Sequence, residues 1–329
     1  MRAVIHAGLH KTGTSSFQRC CYELHKELLK QQIHYPYFKG VPHHNHLVNQ
    51  AEVNWLKPLI KATRKKAGKN GCLLISAENL EYDLYTDKPE RIEKTLQKEG
   101  ITNVTWVLCF REPFAAYRSL YAQLSKSGHK FTTKRAILEF EAAGQIISSQ
   151  GMLKTQTHRT TQSFHFNYPL LIQDLKQRLK GTVVGVGFKD FTQQSKVPGD
   201  LLIRALSTEG KGLSDLGDNL QSHELRSPSA EQIERNFVHR FFAFDPTKHG
   251  NEPNYIKKAI HSRLENRINS EQTIKRLLET KLAGWEQAIT PTEELQKLLR
   301  APAAGRFFFQ AAAPCPPAPL PKRILGWGR

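Results

Sequence analysis

The chain has 329 residues and carries 48 Lys and Arg against 30 Asp and Glu, a formal net charge of +18. Hydrophobic residues make up 39%, and no apolar run approaches the roughly 18 residues needed to cross a bilayer, so a transmembrane helix is excluded and a polypeptide of one large or two small domains is expected. The charge leaves four explanations: a polyanion partner, a small anionic ligand, an acidic membrane surface, or solubility alone.

The first eight residues are too short and too soon interrupted for a secretory signal. Residues 3–7 predict a buried strand. Phe17, Cys20 or Cys21, Leu24 and Leu28 follow at helical spacing. After the turn signal Asn70-Gly71, residues 72–76 predict a second strand, and residues 104–110 a third. Pro113 marks a helix start, where its missing N–H costs least. Residues 168–179 and 201–206 predict helices around a fourth strand at 182–188. Continuous apolar runs of this length suit parallel strands covered on both faces. The alternation predicts an α/β fold with a central parallel sheet, three layers deep. The five cysteines, Cys20, Cys21, Cys72, Cys109 and Cys315, form no C-x-x-C. Neither a disulfide framework nor a zinc ribbon is expected, and a reducing, cytoplasmic setting is.

Beyond residue 208 the strand signals stop. Residues 229–243, 255–268, 271–287 and 292–300 predict helices, the first announced by Pro228-Ser229 ahead of Glu231. This divides the chain into an α/β core at 1–208, a mainly helical extension of the same domain at 209–300, and a tail at 301–329. The tail holds six of the 17 prolines and no acid, and it predicts a disordered or polyproline-like appendage. The alternative for it is a short interaction segment at residues 324–327.

The first predicted strand runs into Gly8-Leu9-His10-Lys11-Thr12-Gly13-Thr14-Ser15-Ser16. A strand, a tight glycine-bearing loop and a helix start together suit a phosphate, because main-chain N–H groups and the helix dipole both point at the anion. Lys11 adds a full charge, and Thr12, Thr14, Ser15 and Ser16 add hydroxyls. An ordinary N-cap needs one hydroxyl, not four, and no lysine. The loop departs from the triphosphate motif G-x-x-x-x-G-K-[ST], since Lys11 precedes Gly13.

The order Lys11-Thr12-Gly13-Thr14-Ser15-Ser16 resembles the 5′-phosphosulfate loop of the sulfotransferases that use 3′-phosphoadenosine-5′-phosphosulfate (PAPS). That family carries a second pattern, Arg, one residue, Pro, five residues, Ser, at the end of a later strand. Arg111, Pro113 and Ser119 stand in that order directly after the third predicted strand. Ser76-Ala77-Glu78-Asn79-Leu80 is similar to a segment of the bacterial and carbohydrate branch, and Phe188-Lys189-Asp190-Phe191 to another stretch of the family. The resemblance covers roughly residues 1–240. It implies a P-loop-like α/β/α sandwich that binds PAPS and releases 3′-phosphoadenosine-5′-phosphate, with His10, Lys11, Thr12, Gly13, Thr14, Ser15 and Ser16 around the phosphosulfate. Arg111 and Ser119 would take the 3′-phosphate. The Arg-Lys-Gly motif of the cytosolic branch is absent, which turns attention to Arg118 or Lys126 as a third phosphate contact.

The resemblance further implies in-line sulfuryl transfer to a small-molecule or glycan hydroxyl in a bacterial cytoplasm, with no metal. Lys11 would stabilise the leaving phosphate. The general base would be a His or Glu near the end of the strand at 72–76. Glu78 is the first choice, His46 of the His43-His44-Asn45-His46 cluster the second, and His10 a third group near the sulfuryl. Besides a degenerate protein of this fold that binds without catalysis, against which the intact Lys11, Arg111 and Ser119 speak, two other functions are weighed. Lys57, Lys61, Arg64, Lys65, Lys66 and Lys69 form a basic stretch without an acid, which suits a non-catalytic polyanion binder or contact with an acidic surface. No nucleic-acid motif accompanies it, and a charge run is usually a solvated face. A kinase on a variant P-loop is the other.

Overall fold

The computed structural model describes residues 1–126, 131–149, 161–193, 197–217 and 228–300. Its centre is a parallel sheet of β1 (Arg2–His6), β2 (Ile33–His34), β3 (Cys72–Ser76), β4 (Asn103–Phe110) and β7 (Thr182–Gly187). The order is β2-β3-β1-β4-β7, so β1 lies centrally, with Ile5 in register with Ile75 on one side and Trp106 on the other. The four expected strands are all present. The short edge strand β2 and the antiparallel pair β5 (Gln145–Ser149) and β6 (Thr161–His165) were not anticipated. Two residues are too few for a periodic signal, and the segments of the β5–β6 pair are largely polar.

Side-chain alternation along the strands divides the core. Ala3, Ile5, Leu73, Ile75, Trp106 and Leu108 face one cluster. There they meet α2 (Leu56–Ala67), α3 (Lys88–Lys98) and α6 (Tyr168–Arg178), with α4 (Pro113–Lys126) and α5 (Thr133–Ala143) intervening in the chain. Val4, Leu74, Val107, Cys109 and Val184 face the opposite cluster. It is closed by α1 (Thr14–Glu23), by α7 (Asp200–Leu206) and, from the far end of the chain, by Leu295 and Leu299 of α10 (Thr292–Arg300). Arg2 donates to the main-chain carbonyls of Leu206 and Leu299, which ties α10 to the start of β1. Thr290 pairs its N–H with the Gly185 carbonyl at 2.8 Å, so the returning chain covers the β7 edge.

The segments expected as separate helices at 255–268 and 271–287 are one continuous helix, α9 (Asn254–Lys281). Asn269 and Ser270 lie between them, but nothing there is Gly or Pro, and neither polar residue alone stops a helix. The extension stops short of Gly284, which is in the left-handed region at φ 75°. Together with α8 (Ala230–Phe241), α9 packs against α4, α5 and Phe164 of β6 in a third cluster of aromatic and aliphatic side chains. Glu234, fully buried there, is held by Arg263 at 2.9 Å. Ser229 caps α8 by accepting from the Gln232 N–H. The tail at 301–329, with Cys315, lies outside the described residues. Among the described residues, no helix is long and apolar enough to cross a membrane.

Candidate anion-binding site at the sheet edge

Because the strands are parallel, the segments that follow β1, β3, β4 and β7 emerge at one edge. Strand order reverses at β1: α1 goes to one face, while the later crossovers place helices on the other. In open α/β sheets that reversal leaves a crevice where ligands bind. The loop at residues 8–13 occupies it.

Two residues of the loop are in the left-handed region, Lys11 at φ 68° and Gly13, the N-cap of α1, at φ 82°. Glycine adopts this freely, but a lysine is strained there by about 1–3 kcal/mol, and such strain gathers at functional sites. Among the described residues, nothing accepts a hydrogen bond from the N–H groups of Lys11, Thr12, Gly13, Thr14, Ser15 or Ser16, and the first N–H within α1 to find a partner is that of Phe17, on the Gly13 carbonyl. The hydroxyls divide into two sets. Thr12 is buried and donates to the Leu9 carbonyl at 2.5 Å, with the Thr14 hydroxyl 3.3 Å away. Ser15 and Ser16 are more open, and among the described residues their hydroxyls have no partner.

Three segments wall the loop. From β4, Arg111 donates to the Lys11 carbonyl at 3.3 Å, and its guanidinium lies 4.8 Å from the centre of the Phe188 ring. Among the described residues it forms no ion pair, so most of its donor fork is free for an anion. From β7, the short helix Phe188–Gln193 puts Thr192 and Phe188 against Gly13. From β3, a 3-10 helix, Glu78–Asp83, brings in acidic side chains. Burial pushes the Lys11 amine pKa down; the Glu78 charge opposes this, and the Lys126 and Arg111 charges add to it. Three cations and one carboxylate therefore share the loop's surroundings.

Ser119 sits half-buried in the second turn of α4, whose start is capped by Glu112 accepting from the Phe114 and Ala115 N–H groups, each at 2.7 Å. Lys126 ends the same helix, and Arg118 is exposed on it. Glu78, half-buried, opens the 3-10 helix and acts electrostatically on both Lys11 and His10. His46 is placed differently: it is exposed on the short helix Asn45–Val48, edge-on to Phe38 at 4.7 Å and beside His43. The basic stretch on α2 lines the outer surface, where Arg64 pairs with Glu99 at 3.7 Å.

Three buried residues around the loop escaped sequence reasoning. Glu81 is 2% exposed and accepts from the His10 N–H and from His10 Nδ1, both at 2.7 Å, and from the His165 N–H at 2.8 Å. His6, the last residue of β1, bonds through Nδ1 to the Ser76 hydroxyl at 2.8 Å and stacks on Phe191; burial pushes its pKa down to about 3. His44 accepts the Ser76 N–H at 3.0 Å and donates to the Pro36 carbonyl at 2.9 Å; burial holds its pKa at about 4. Both histidines are neutral struts, and they clamp the ends of β1 and β3 beneath the loop.

Compared with known proteins, the chain matches no family model, no curated protein and no solved structure.

Proposed function

We propose that the chain is a PAPS-dependent sulfotransferase on a P-loop-like α/β/α sandwich, transferring a sulfuryl group to a hydroxyl of a carbohydrate or small molecule. The observation that carries this is the run of six N–H groups from Lys11 to Ser16 that nothing accepts from among the described residues, joined through the Lys11 carbonyl to Arg111, which forms no ion pair among them. It supplies two anion sites on neighbouring strands, which is what a nucleotide with separate 5′ and 3′ anionic groups requires. Bound PAPS would supply an activated sulfuryl group on a phosphate leaving group.

The chain's own residues then do the following. The N–H groups of Lys11 to Ser16, with the Ser15 and Ser16 hydroxyls, hold the 5′ end against the α1 dipole. Lys11 stands where negative charge grows on the departing phosphate, and a fixed cation there stabilises the transition state more than the ground state. Arg111, with Ser119, holds the 3′-phosphate, whose charge of about −1.5 to −2 suits a guanidinium fork. The surplus of cations over carboxylates draws the anion in, and binding relieves the repulsion among Lys11, Arg111 and Lys126. A cytoplasmic bacterial setting goes with this function, as does an acceptor bound without a metal.

Calorimetric titration with 3′-phosphoadenosine-5′-phosphate, with ATP and magnesium as the control, tests this. Binding of the bisphosphate in preference to ATP is the expected result. Preference for magnesium-ATP would replace it with a kinase.

A further inference from the structure

His10 does not lie loose in the loop. Its imidazole is 7% exposed and both ring nitrogens are engaged, Nδ1 on Glu81 at 2.7 Å and Nε2 on the Tyr82 hydroxyl at 2.8 Å. The direction of these bonds follows from the donors. Glu81 already accepts two main-chain N–H groups, from His10 and His165, so it is the acceptor toward Nδ1 as well, and Nδ1 carries the proton. In neutral His10 the Nε2 lone pair is then left to accept from Tyr82. Hydroxyl, imidazole and carboxylate stand in one line, each link within the 2.6–3.2 Å reach that activates a hydroxyl.

The packing holds this line in place. The Phe164 ring is edge-on to His10 at 5.2 Å and to Tyr82 at 5.5 Å, and the His10 and Tyr82 rings stack at 4.9 Å. Tyr82 is half-buried and is the most exposed member of the line, whereas His10 and Glu81 are buried. It belongs to the Lys11 neighbourhood, because the Glu78 charge acts on Tyr82, His10 and Lys11 alike.

Resting on the sulfuryl-transfer reading above, we propose that Tyr82 is a catalytic residue of this site and passes the acceptor's proton to His10, with Glu81 as the positioning residue. The acceptor oxygen forms its bond to sulfur as the sulfur–oxygen bond to the phosphate breaks, and the bisphosphate leaves with that electron pair. The acceptor's proton goes to the Tyr82 oxygen while the Tyr82 proton moves to His10 Nε2. His10 ends as an imidazolium beside Glu81. The tyrosine never carries a full negative charge, which suits a phenol whose pKa is raised by burial and by the Glu81 and Glu78 charges.

The charged and titratable groups facing His10 are Lys11 on the loop and Glu78, Glu81 and Tyr82 on the 3-10 helix, with His165 of β6 bonded to Glu81. Burial works against the imidazolium and Lys11 adds to that, but the Glu81 hydrogen bond and the Glu78 and Glu81 charges outweigh them and leave the His10 pKa raised. Burial keeps His165 itself neutral by lowering its pKa.

Tyr82→Phe removes the hydroxyl and keeps the ring that stacks on His10. Release of bisphosphate from PAPS, with water as acceptor, should fall about 10²-fold or more in that variant, the usual weight of acid–base catalysis. Affinity for 3′-phosphoadenosine-5′-phosphate should stay within about twofold, since the N–H groups of Lys11 to Ser16 and the Arg111 guanidinium are left as they are. Glu81→Gln should move the acidic limb of the pH–rate profile to lower pH, because the carboxylate that favours imidazolium is gone. A readout independent of turnover is the imidazole nitrogen spectrum of the whole protein, in which neutral His10 should be protonated at Nδ1. Neutral His10 protonated at Nε2, or full turnover in Tyr82→Phe, overturns the relay alone. Failure of the wild-type protein to bind the bisphosphate overturns the sulfuryl-transfer reading and the relay with it.

Discussion

The Arg111 guanidinium donates to the main-chain carbonyl of Lys11 at 3.3 Å, across 100 residues of sequence. One bond thus links the end of β4 to the most strained residue of the loop after β1. It fixes the Lys11 carbonyl, and with it the plane of the Lys11–Thr12 peptide, whose N–H belongs to Thr12. The two charges repel, and the Glu78 charge opposes the effect of that repulsion on Lys11.

Removing either cation should therefore have separable effects. Arg111→Ala is expected to weaken 3′-phosphoadenosine-5′-phosphate binding by about 10- to 100-fold, the worth of one charge-assisted hydrogen-bonded contact. Lys11→Ala is expected to cost about 10²- to 10³-fold in turnover of PAPS, and less in binding of the bisphosphate. Calorimetry and single-turnover kinetics read the two effects. Unchanged bisphosphate affinity in Arg111→Ala would remove it from the 3′-phosphate site.

Gly8 is needed for space. A Cβ there would lie 2.6 Å from His6 Nε2 and 3.0 Å from the Thr14 hydroxyl. His6 cannot yield, being locked between Phe17, Phe191 and Ser76. Gly8→Ala should therefore destabilise by about 1–3 kcal/mol, as overpacking does, and lower the melting temperature by several degrees. It should also weaken anion binding, since the loop is what moves. A melting temperature unchanged from wild type would show that the ring is free to shift.

The buried neutral histidines make the fold acid-sensitive. His6, His34 and His44 have pKa values of about 3, 4 and 4, all lowered by burial, against an ordinary 6.5. Between 6.5 and those values the unfolded chain binds more protons than the folded one, so stability falls as pH falls through this window. For each fully buried group the loss grows by about 1.4 kcal/mol per pH unit. His10 acts in the opposite sense: its raised pKa gives a contribution complete below the ordinary value and lost as pH rises through the folded one. Urea melts at about pH 7 and about pH 5 should show lower stability at the acidic value, and His44→Gln should flatten that dependence.

Glu78 and His46 separate cleanly. Glu78→Gln removes the carboxylate that raises both the Lys11 and the His10 pKa, so the acidic limb of the rate profile should shift to lower pH and turnover should fall. His46→Ala should leave turnover and bisphosphate binding unchanged, because the ring lies against Phe38 and His43. Loss of turnover in His46→Ala, with Tyr82→Phe fully active, would move the proton acceptor to His46.

Much of the architecture was legible locally. Apolar runs at β1, β3, β4 and β7 exceed what a half-exposed strand carries, and the helical stripes between them have the right period. The loop from Gly8 to Ser16 was visible because its residues are contiguous and their chemistry is of one kind. Glu81 was invisible for the converse reason. Its partners His10 and His165 lie 71 and 84 residues away, and a glutamate near the start of a 3-10 helix has no local mark. His44 and His46 show the same limit, since two residues in one cluster receive opposite environments, one buried under Ser76 and one exposed.

By itself, then, the sequence marked the four longer strands of the parallel sheet and the helical stripes between them, and it put a lysine and a run of hydroxyls in the loop after β1, because propensity, periodicity and loop chemistry act between near neighbours. Tertiary structure alone decided that Arg111 meets the Lys11 carbonyl, that Thr12 turns inward while Ser15 and Ser16 stay open, and that His10 joins Glu81 to Tyr82. Those outcomes depend on strand order and on which side chains are shut off from water. Burial is set by the whole fold, and burial converts an ordinary glutamate, histidine and tyrosine into one connected line of hydrogen bonds.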